Sequence, residues 1–313
     1  MQTVNEVLEP GRTNGAVIVS GASGMLGTVL RRALTARGTP VLQLVRSARA
    51  EAGQIGWNPG AGTGIAAPAA LEGSLAAIHL SGASIAGHRW TTAYRRELVA
   101  SRVDSTRALA SMLAGLREPP RTLIVASAVG IYGDRGDELL DESSAAGSGF
   151  LAEVCRAWEA AAQPARDAGI RVVHARFGVV LGAGPGTLGK MLPIFRLGLG
   201  GRLGSGRQWM SWVSLEDAIS ALLFALETTQ MAGAANVTSP CPVTNAEFTR
   251  VLAEQLKRPA MFPAPAFALR VALGQMADEA LLASQRALPA KLLAAGFEFK
   301  NPTIEQALRA ALA

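Results

Sequence analysis

The sequence predicts an α/β protein: a doubly wound parallel sheet with a smaller, mostly helical C-terminal lobe. Three observations carry this. Up to Gly178, short apolar runs rich in β-branched residues alternate with helical patterns, as buried parallel strands and their crossover helices should. A glycine-rich turn joins the first strand to the first helix. Beyond Gly178 the alternation gives way to clustered glycine, then to short helical stretches punctuated by Pro240, Pro242, Pro259, Pro263 and Pro265.

Taken in order, residues 1–14 are polar, contain Pro10 and Gly11, and read as a flexible tail. Residues 16–20 (Ala-Val-Ile-Val-Ser) form a first strand. The turn 21–27 (Gly-Ala-Ser-Gly-Met-Leu-Gly) follows at once. Apolar positions 26, 29, 30, 33 and 34 then recur at helical spacing, and Gly38 supplies a stop. A second strand covers 41–45. Residues 76–80 read as a strand, 92–116 as one long helix, 121–126 as a strand, 150–168 as a helix and 171–175 as a strand. The segment 212–217 leads into a helix ending near Glu227. The main domain is thus placed at 15–185, with 211–237 returning to it. The second lobe is assembled from 186–210 and 238–313. A substrate would sit in the cleft between the lobes.

Composition narrows the function. With 49% hydrophobic and 17% charged residues over 313 positions, a sizeable core is expected and global disorder is excluded. Cys155 and Cys241 lie too far apart for a disulfide framework or zinc cluster, and His79, His88 and His174 have no metal-ligand spacing, so no metal is expected. The uncharged stretch 52–71 is full of glycine and proline and cannot span a membrane. The N-terminus has no basic region followed by an apolar core, so the expected address is the cytoplasm, with no membrane partner. Net charge is +6, but the arginines are scattered, so no nucleic-acid partner is expected.

The glycine turn points to a dinucleotide. Gly21 permits the tight turn, Gly24 lets a pyrophosphate approach the backbone, and Gly27 lets the helix pack closely on the strand. The helix start at Ser23, Met25 and Leu26 presents free N–H groups to the phosphates. The alternative is an ordinary strand–helix turn. At the end of the second strand an acidic residue would bind the 2′-hydroxyl of NAD. Here Arg46 stands there, with Arg49 nearby, and the first carboxylate is Glu51. Arg46 would pair with a 2′-phosphate, a contact of roughly 1.5–3 kcal/mol, and so favour NADP(H) by about 10- to 150-fold. The alternative is a solvated arginine.

The Gly-x-x-Gly-x-x-Gly spacing, the run 126–133 (Ala-Ser-Ala-Val-Gly-Ile-Tyr-Gly) and the run 177–182 (Phe-Gly-Val-Val-Leu-Gly) resemble the extended short-chain dehydrogenase/reductases, which include the nucleotide-sugar epimerases. More narrowly, Arg89-Trp90, the stretch 101–103 (Ser-Arg-Val), the segment 150–155 with Trp158-Glu159, the run 200–206, the run 212–217, the stretch 242–245 and the stretch 296–299 resemble its atypical "epimerase family protein" subgroup, once labelled cell-division-inhibitor-like. The likeness runs from about residue 16 to 312. It implies a Rossmann domain binding NADP(H) and a C-terminal domain of uncharacterised role. It also implies that Leu80, Ser81, Gly82 and Val180 line the cofactor. Arg102 stands where ordinary members carry asparagine; it would reach the cofactor phosphates or pair with Glu97.

Ordinary members use Tyr-x-x-x-Lys for proton transfer. No such pair exists here: Leu151 and Cys155 align with it, and Ala128 aligns with the usual serine, with Ser127 one position away. Tyr132, Ser127 and Glu153 are the substitutes the sequence offers, with Arg89 or Lys190 as cations that would lower the Tyr132 pKa. Cys155 reads as a buried small hydrophobe. Arg89, Trp90, Lys190, Gln208 and Trp212 are expected substrate contacts. The expected function is NADP(H)-dependent hydride transfer on an unknown small molecule. The rival is a catalytically silent NADP(H) sensor or partner-binding protein. The resemblance also implies a homodimer through the two long helices.

Overall fold

A computed structural model describes residues 15–46, 51–61, 64–184 and 186–313. The tail 1–14 and Arg49 lie outside the described residues. Seven strands form one parallel sheet: β1 (Val17–Ser20), β2 (Val41–Val45), β3 (Gln54–Gly56), β4 (Ala76–His79), β5 (Thr122–Ala128), β6 (Arg171–Phe177) and β7 (Gly233–Val237). Their order is β7-β6-β5-β4-β1-β2-β3, and every pairing is parallel. The strand order reverses beside β1, so the carboxyl ends of β1 and β4 face a crevice. β1 and β4 are buried along their whole length, because helices cover both faces of the sheet.

Within this sheet the expected strands are present, and two were not expected. β3 falls in the uncharged Gly- and Pro-rich stretch, where its three residues give no periodicity. β7 is a short run whose apolar character is diluted by Asn236. Two expected long helices are each broken. The first becomes α2 (Thr92–Ala100) and α3 (Val103–Ala114). The break falls at Ser101 and Arg102, whose side chains turn to bind the backbone of Ala83. The second becomes α4 (Phe150–Ala160) and α5 (Gln163–Asp167). There Pro164 lacks an N–H and clashes with a continuing helix, so a new one starts. Before α2 comes α1 (Met25–Ala36); after α5 come α6 (Thr187–Arg196), α7 (Leu215–Glu227), α8 (Asn245–Leu256) and α9 (Ala266–Leu273). Two more, α10 (Ala290–Ala294) and α11 (Ile304–Leu312), end the chain.

The main core is built on the sheet and includes α7 residues Ile219 and Leu222. A second core joins α6, α8 and α11 through Leu188, Phe195, Phe248 and Leu308, with Trp212 at its centre. The last segment is divided between the two. Leu292 and Phe297 pack into the main core, Phe297 edge-on to Phe224 at 5.3 Å, whereas α11 belongs to the second core.

Candidate active site

The glycine turn is the best-defined part of the site. Gly21 has φ of +69°, a left-handed conformation that favours glycine. A side chain on it would meet the Leu80 carbonyl at 2.7–2.8 Å. A Cβ on Gly27 would lie 2.2 Å from the Gly21 oxygen, so α1 can pack this close only with glycine. Gly24 is looser: its Cβ would meet only the Gly21 oxygen, at 3.3 Å. No side chain caps α1, and no acid stands in its first turn. An uncapped helix N-terminus behind a glycine cradle fits a dinucleotide pyrophosphate. Ser23 and Gly24 are exposed, and Met25 and Leu26 are half-buried. Gly186, just before α6, lies against the Met25 sulfur. Arg46 is exposed at the end of β2.

Beneath the turn lies a buried relay. Ser20 Oγ is 2.6 Å from His79 Nδ1, and His79 Nε2 is 3.1 Å from Ser105 Oγ. The Ser105 hydroxyl donates to the Ser101 carbonyl at 2.7 Å. This assigns the ring hydrogen to Nε2 and makes Ser20 the donor to Nδ1. Burial holds the His79 pKa down at about 3, so the ring is neutral.

Leu80, Ser81 and Gly82 follow β4 at the crevice. Arg102 does not pair with Glu97; its guanidinium lies beside Gly82. It is 8% exposed and donates to the carbonyls of Ala83 (2.9 Å) and Leu98 (3.2 Å). Its guanidinium also lies 5.2 Å from the Trp158 ring centroid. It clamps the loop after β4, while Glu97 is exposed on α2. Val180 is half-buried, in register with Val213 and packed on the main core.

The three expected proton-transfer groups do not meet in the cleft. Tyr132 is fully buried. Its hydroxyl lies 2.8 Å from both the Asp141 carbonyl and Asn236 Oδ1, and it accepts from Arg176 Nη1 at 3.0 Å. Burial raises its pKa, and Arg176, not Arg89 or Lys190, is the cation that opposes the rise. Ser127 is also buried, and its hydroxyl donates to Glu159 Oε1 at 2.8 Å. Glu159 in turn holds Arg176 by two bonds of 2.8 and 2.9 Å. Despite the upward push of burial, the hydrogen bonds and charge of Arg176 leave the Glu159 pKa below its usual value. Glu153 is exposed in the first turn of α4. At the aligned lysine position, burial pushes the Cys155 thiol to about 12, which leaves no nucleophilic thiolate.

Two residues the sequence did not single out stand at the N-terminus of α4 instead. The Glu279 carboxylate accepts the N–H groups of Phe150 (3.1 Å) and Leu151 (2.7 Å). Gln275 Nε2 donates to it, and Gln275 Oε1 accepts from Arg95. Glu279 thereby caps a helix of the other lobe. Nothing in local periodicity marks it, because its partner is more than a hundred residues away.

The expected substrate contacts separate into two groups. Trp212 is fully buried in the second core, and its indole N–H donates to the Cys241 carbonyl at 3.0 Å, so it lines no cleft. Gln208 is buried and donates to the carbonyls of Leu203 and Leu281. Both were read from sequence as cleft groups, and both are structural. Lys190, Trp90 and Arg89 are all tied to the loop after β4. Lys190 Nζ donates to the Ala86 carbonyl at 2.7 Å. Trp90 anchors the same loop through Ile85 and packs edge-on to Phe150. Arg89 is exposed, with its guanidinium against Gly274.

A parallel sheet with a glycine cradle at its switch point and a separately cored C-terminal lobe defines the class: an extended dinucleotide-binding α/β protein. Residues 17–237 match the NAD dependent epimerase/dehydratase family, and the chain belongs to it. Residues 264–311 match a domain of unknown function, DUF1731. The chain is 46% identical over 295 residues to an epimerase family protein of Mycobacterium bovis, covering 94% of this chain and 97% of that one. The crystal structure of human epimerase family protein SDR39U1 (isoform 2) with NADPH is similar with a TM-score of 0.86 at 33% identity, covering 95% and 98% of the two chains. A nucleoside-diphosphate sugar epimerase from Corynebacterium glutamicum is similar with a TM-score of 0.77 at 36% identity, covering 95% of this chain and 58% of that one.

Proposed function

We propose that the protein is an NADP(H)-dependent oxidoreductase or epimerase-like enzyme acting on a small molecule held between the two lobes. The observation that carries this is the glycine cradle before an uncapped α1, in a chain whose human relative has been crystallised with NADPH. In this reading the amides of Met25 and Leu26 hold the pyrophosphate, and Arg46 meets the 2′-phosphate. Leu80, Ser81, Gly82 and Val180 line the remainder. The nicotinamide supplies the hydride chemistry when bound. Arg89, Trp90 and Lys190 orient the substrate at the mouth. A second reading, a sensor of NADP(H) without turnover, is favoured by the burial of Tyr132, Ser127 and Cys155.

Separate titrations with NADPH and NADH, followed by nicotinamide fluorescence, test the cofactor. NADPH is expected to bind at least about tenfold more tightly, and Arg46→Ala to remove most of the difference, a loss of roughly 1.5–3 kcal/mol. Equal affinities in the unaltered protein would remove Arg46 from the site. Substrate-dependent oxidation of bound NADPH decides between enzyme and sensor.

A further inference from the structure

Most of the exposed large apolar residues, with several unpaired cations, lie on two adjoining stretches of the C-terminal lobe. Two stretches, 187–215 and 255–277, carry seven lysines and arginines, of which Arg270 pairs with Asp278 at 2.8 Å and Lys190 donates to the Ala86 carbonyl. Of the nine large hydrophobic residues that stand exposed among the described residues, seven belong to these two stretches. Met261, Phe267, Val271 and Leu197 are each 70–74% exposed. α9 buries no residue at all, although its sequence is Ala-Phe-Ala-Leu-Arg-Val-Ala-Leu.

The stretches lie side by side. Phe262 N–H donates to the Gly200 carbonyl at 3.1 Å, and Ala264 N–H to that of Arg202 at 2.9 Å. A groove of about 650 Å³ runs between α8 and the segment that follows it. Arg202, Lys257, Arg258, Met261 and Thr249 help to line it. Arg250 and Glu254 lie there too but satisfy each other at 2.7 Å. Arg196, Arg202, Lys257 and Arg258 form no ion pair among the described residues. The Thr249 hydroxyl is buried without a hydrogen-bond partner.

We infer that this face docks on an anionic lipid surface, with a headgroup phosphate seated in the groove. Contiguous exposed apolar residues mark interaction sites. Rimmed by lysine and arginine, they match the chemistry of an interfacial anchor, whose basic groups meet anionic headgroups while apolar side chains enter the acyl boundary. A phosphate oxygen would give Thr249 its missing acceptor. A second copy fits less well, because a two-fold contact would set Arg196, Arg202, Lys257 and Arg258 against the same cations. No helix among the described residues is long and apolar enough to cross a membrane, and peripheral docking needs none. Docking on lipid departs from the expectation of no membrane partner, which rested on the lack of a spanning segment and of a basic, apolar N-terminus. Since Gly274 at the end of α9 abuts Arg89, docking would set the cleft mouth beside the lipid.

Co-sedimentation of the full chain tests this, using vesicles of phosphatidylglycerol with phosphatidylcholine and vesicles of phosphatidylcholine alone. Partitioning is expected to be at least about tenfold stronger onto the anionic vesicles and to fall steeply with salt. The double reversal Lys257→Glu with Arg258→Glu should lower it by about 25-fold or more, a fivefold loss for each cation removed. Met261→Ser with Phe262→Ser should weaken what survives at high salt. All four substitutions are on the surface, and unchanged NADPH affinity and unfolding midpoint would show an intact fold. Equal partitioning onto both vesicle types would overturn the proposal. So would a dimer, seen by light scattering, that disappears in the serine variant. Binding of glycerol phosphate as tight as binding to vesicles would reassign the groove to a soluble phosphate ester and overturn lipid docking.

Discussion

The turn at Gly21–Gly27 and the network around Tyr132 lie in the same sheet, and they have opposite characters. At the turn, a helix N-terminus is left uncapped, with space before it. At the network, Ser127, Glu159, Arg176, Tyr132 and Asn236 consume one another's hydrogen bonds and keep solvent out. The first region is prepared for a ligand and the second is complete without one. The resemblance aligns Leu151 and Cys155 with the proton-transfer pair of ordinary members, and Tyr132, the substitute the sequence offers, is sealed in the interior. The proposed cofactor turn is open at its helix end, and the residues proposed from sequence for proton transfer, Tyr132 and Ser127, are tied into the packed interior.

The largest way to break this contrast is to open the sealed side. Arg176→Met leaves Glu159 buried and unpaired, which should cost about 3–5 kcal/mol of stability in urea unfolding at neutral pH. NADPH affinity should be unaffected, because neither residue belongs to the glycine turn. A loss of under about 1 kcal/mol would mean that the pair is solvated and the network is not closed.

The histidine under the turn sharpens the contrast through pH. His79 has a folded pKa of about 3 against an ordinary 6.5. Between those values the unfolded chain binds the extra proton, so stability falls as pH drops from 6.5 towards 3. His174, held at about 4 by burial, acts in the same direction. Each contributes a slope of about 1.4 kcal/mol per pH unit. Glu159, whose folded pKa is depressed, adds its loss only below its unfolded value of 4.5. The difference in acid slope between the native chain and His79→Asn therefore isolates the ring. The variant should be less stable at pH 7 and should show about half the histidine-dependent loss between pH 6 and 5. An unchanged slope would place a proton on His79 in the folded state.

The open region was legible in the sequence and the sealed one was not, for a physical reason. Gly21, Gly24 and Gly27 act through backbone geometry within seven residues, and adjacent strand and helix patterns identify their setting. The sheet was readable for the same reason, since buried parallel strands are short apolar runs. Tyr132, Trp212 and Gln208 are residue types that serve a cleft or a core equally well. Their role depends on Arg176, Cys241 and Leu281, which only the topology brings to them. The partners of Arg102 were likewise not legible: in place of Glu97 they are the carbonyls of Ala83 after β4 and Leu98 on α2. Glu279 has no local signature because it caps a helix in the other lobe.

The smallest predicted effect bears most directly on mechanism. Tyr132→Phe removes one hydroxyl from a site that has no cavity to refill. The Asn236 and Asp141 oxygens lose a shared donor, and Arg176 keeps its two bonds to Glu159. The loss should be about 1–2 kcal/mol in urea unfolding. NADPH binding should not change, and neither should any substrate-dependent oxidation rate once the variant is folded. A tyrosine acting as proton donor would give the reverse: unchanged stability and abolished turnover. Because burial raises the Tyr132 pKa despite Arg176, transfer of its proton would leave a phenolate in the core. The side chain therefore holds the network together.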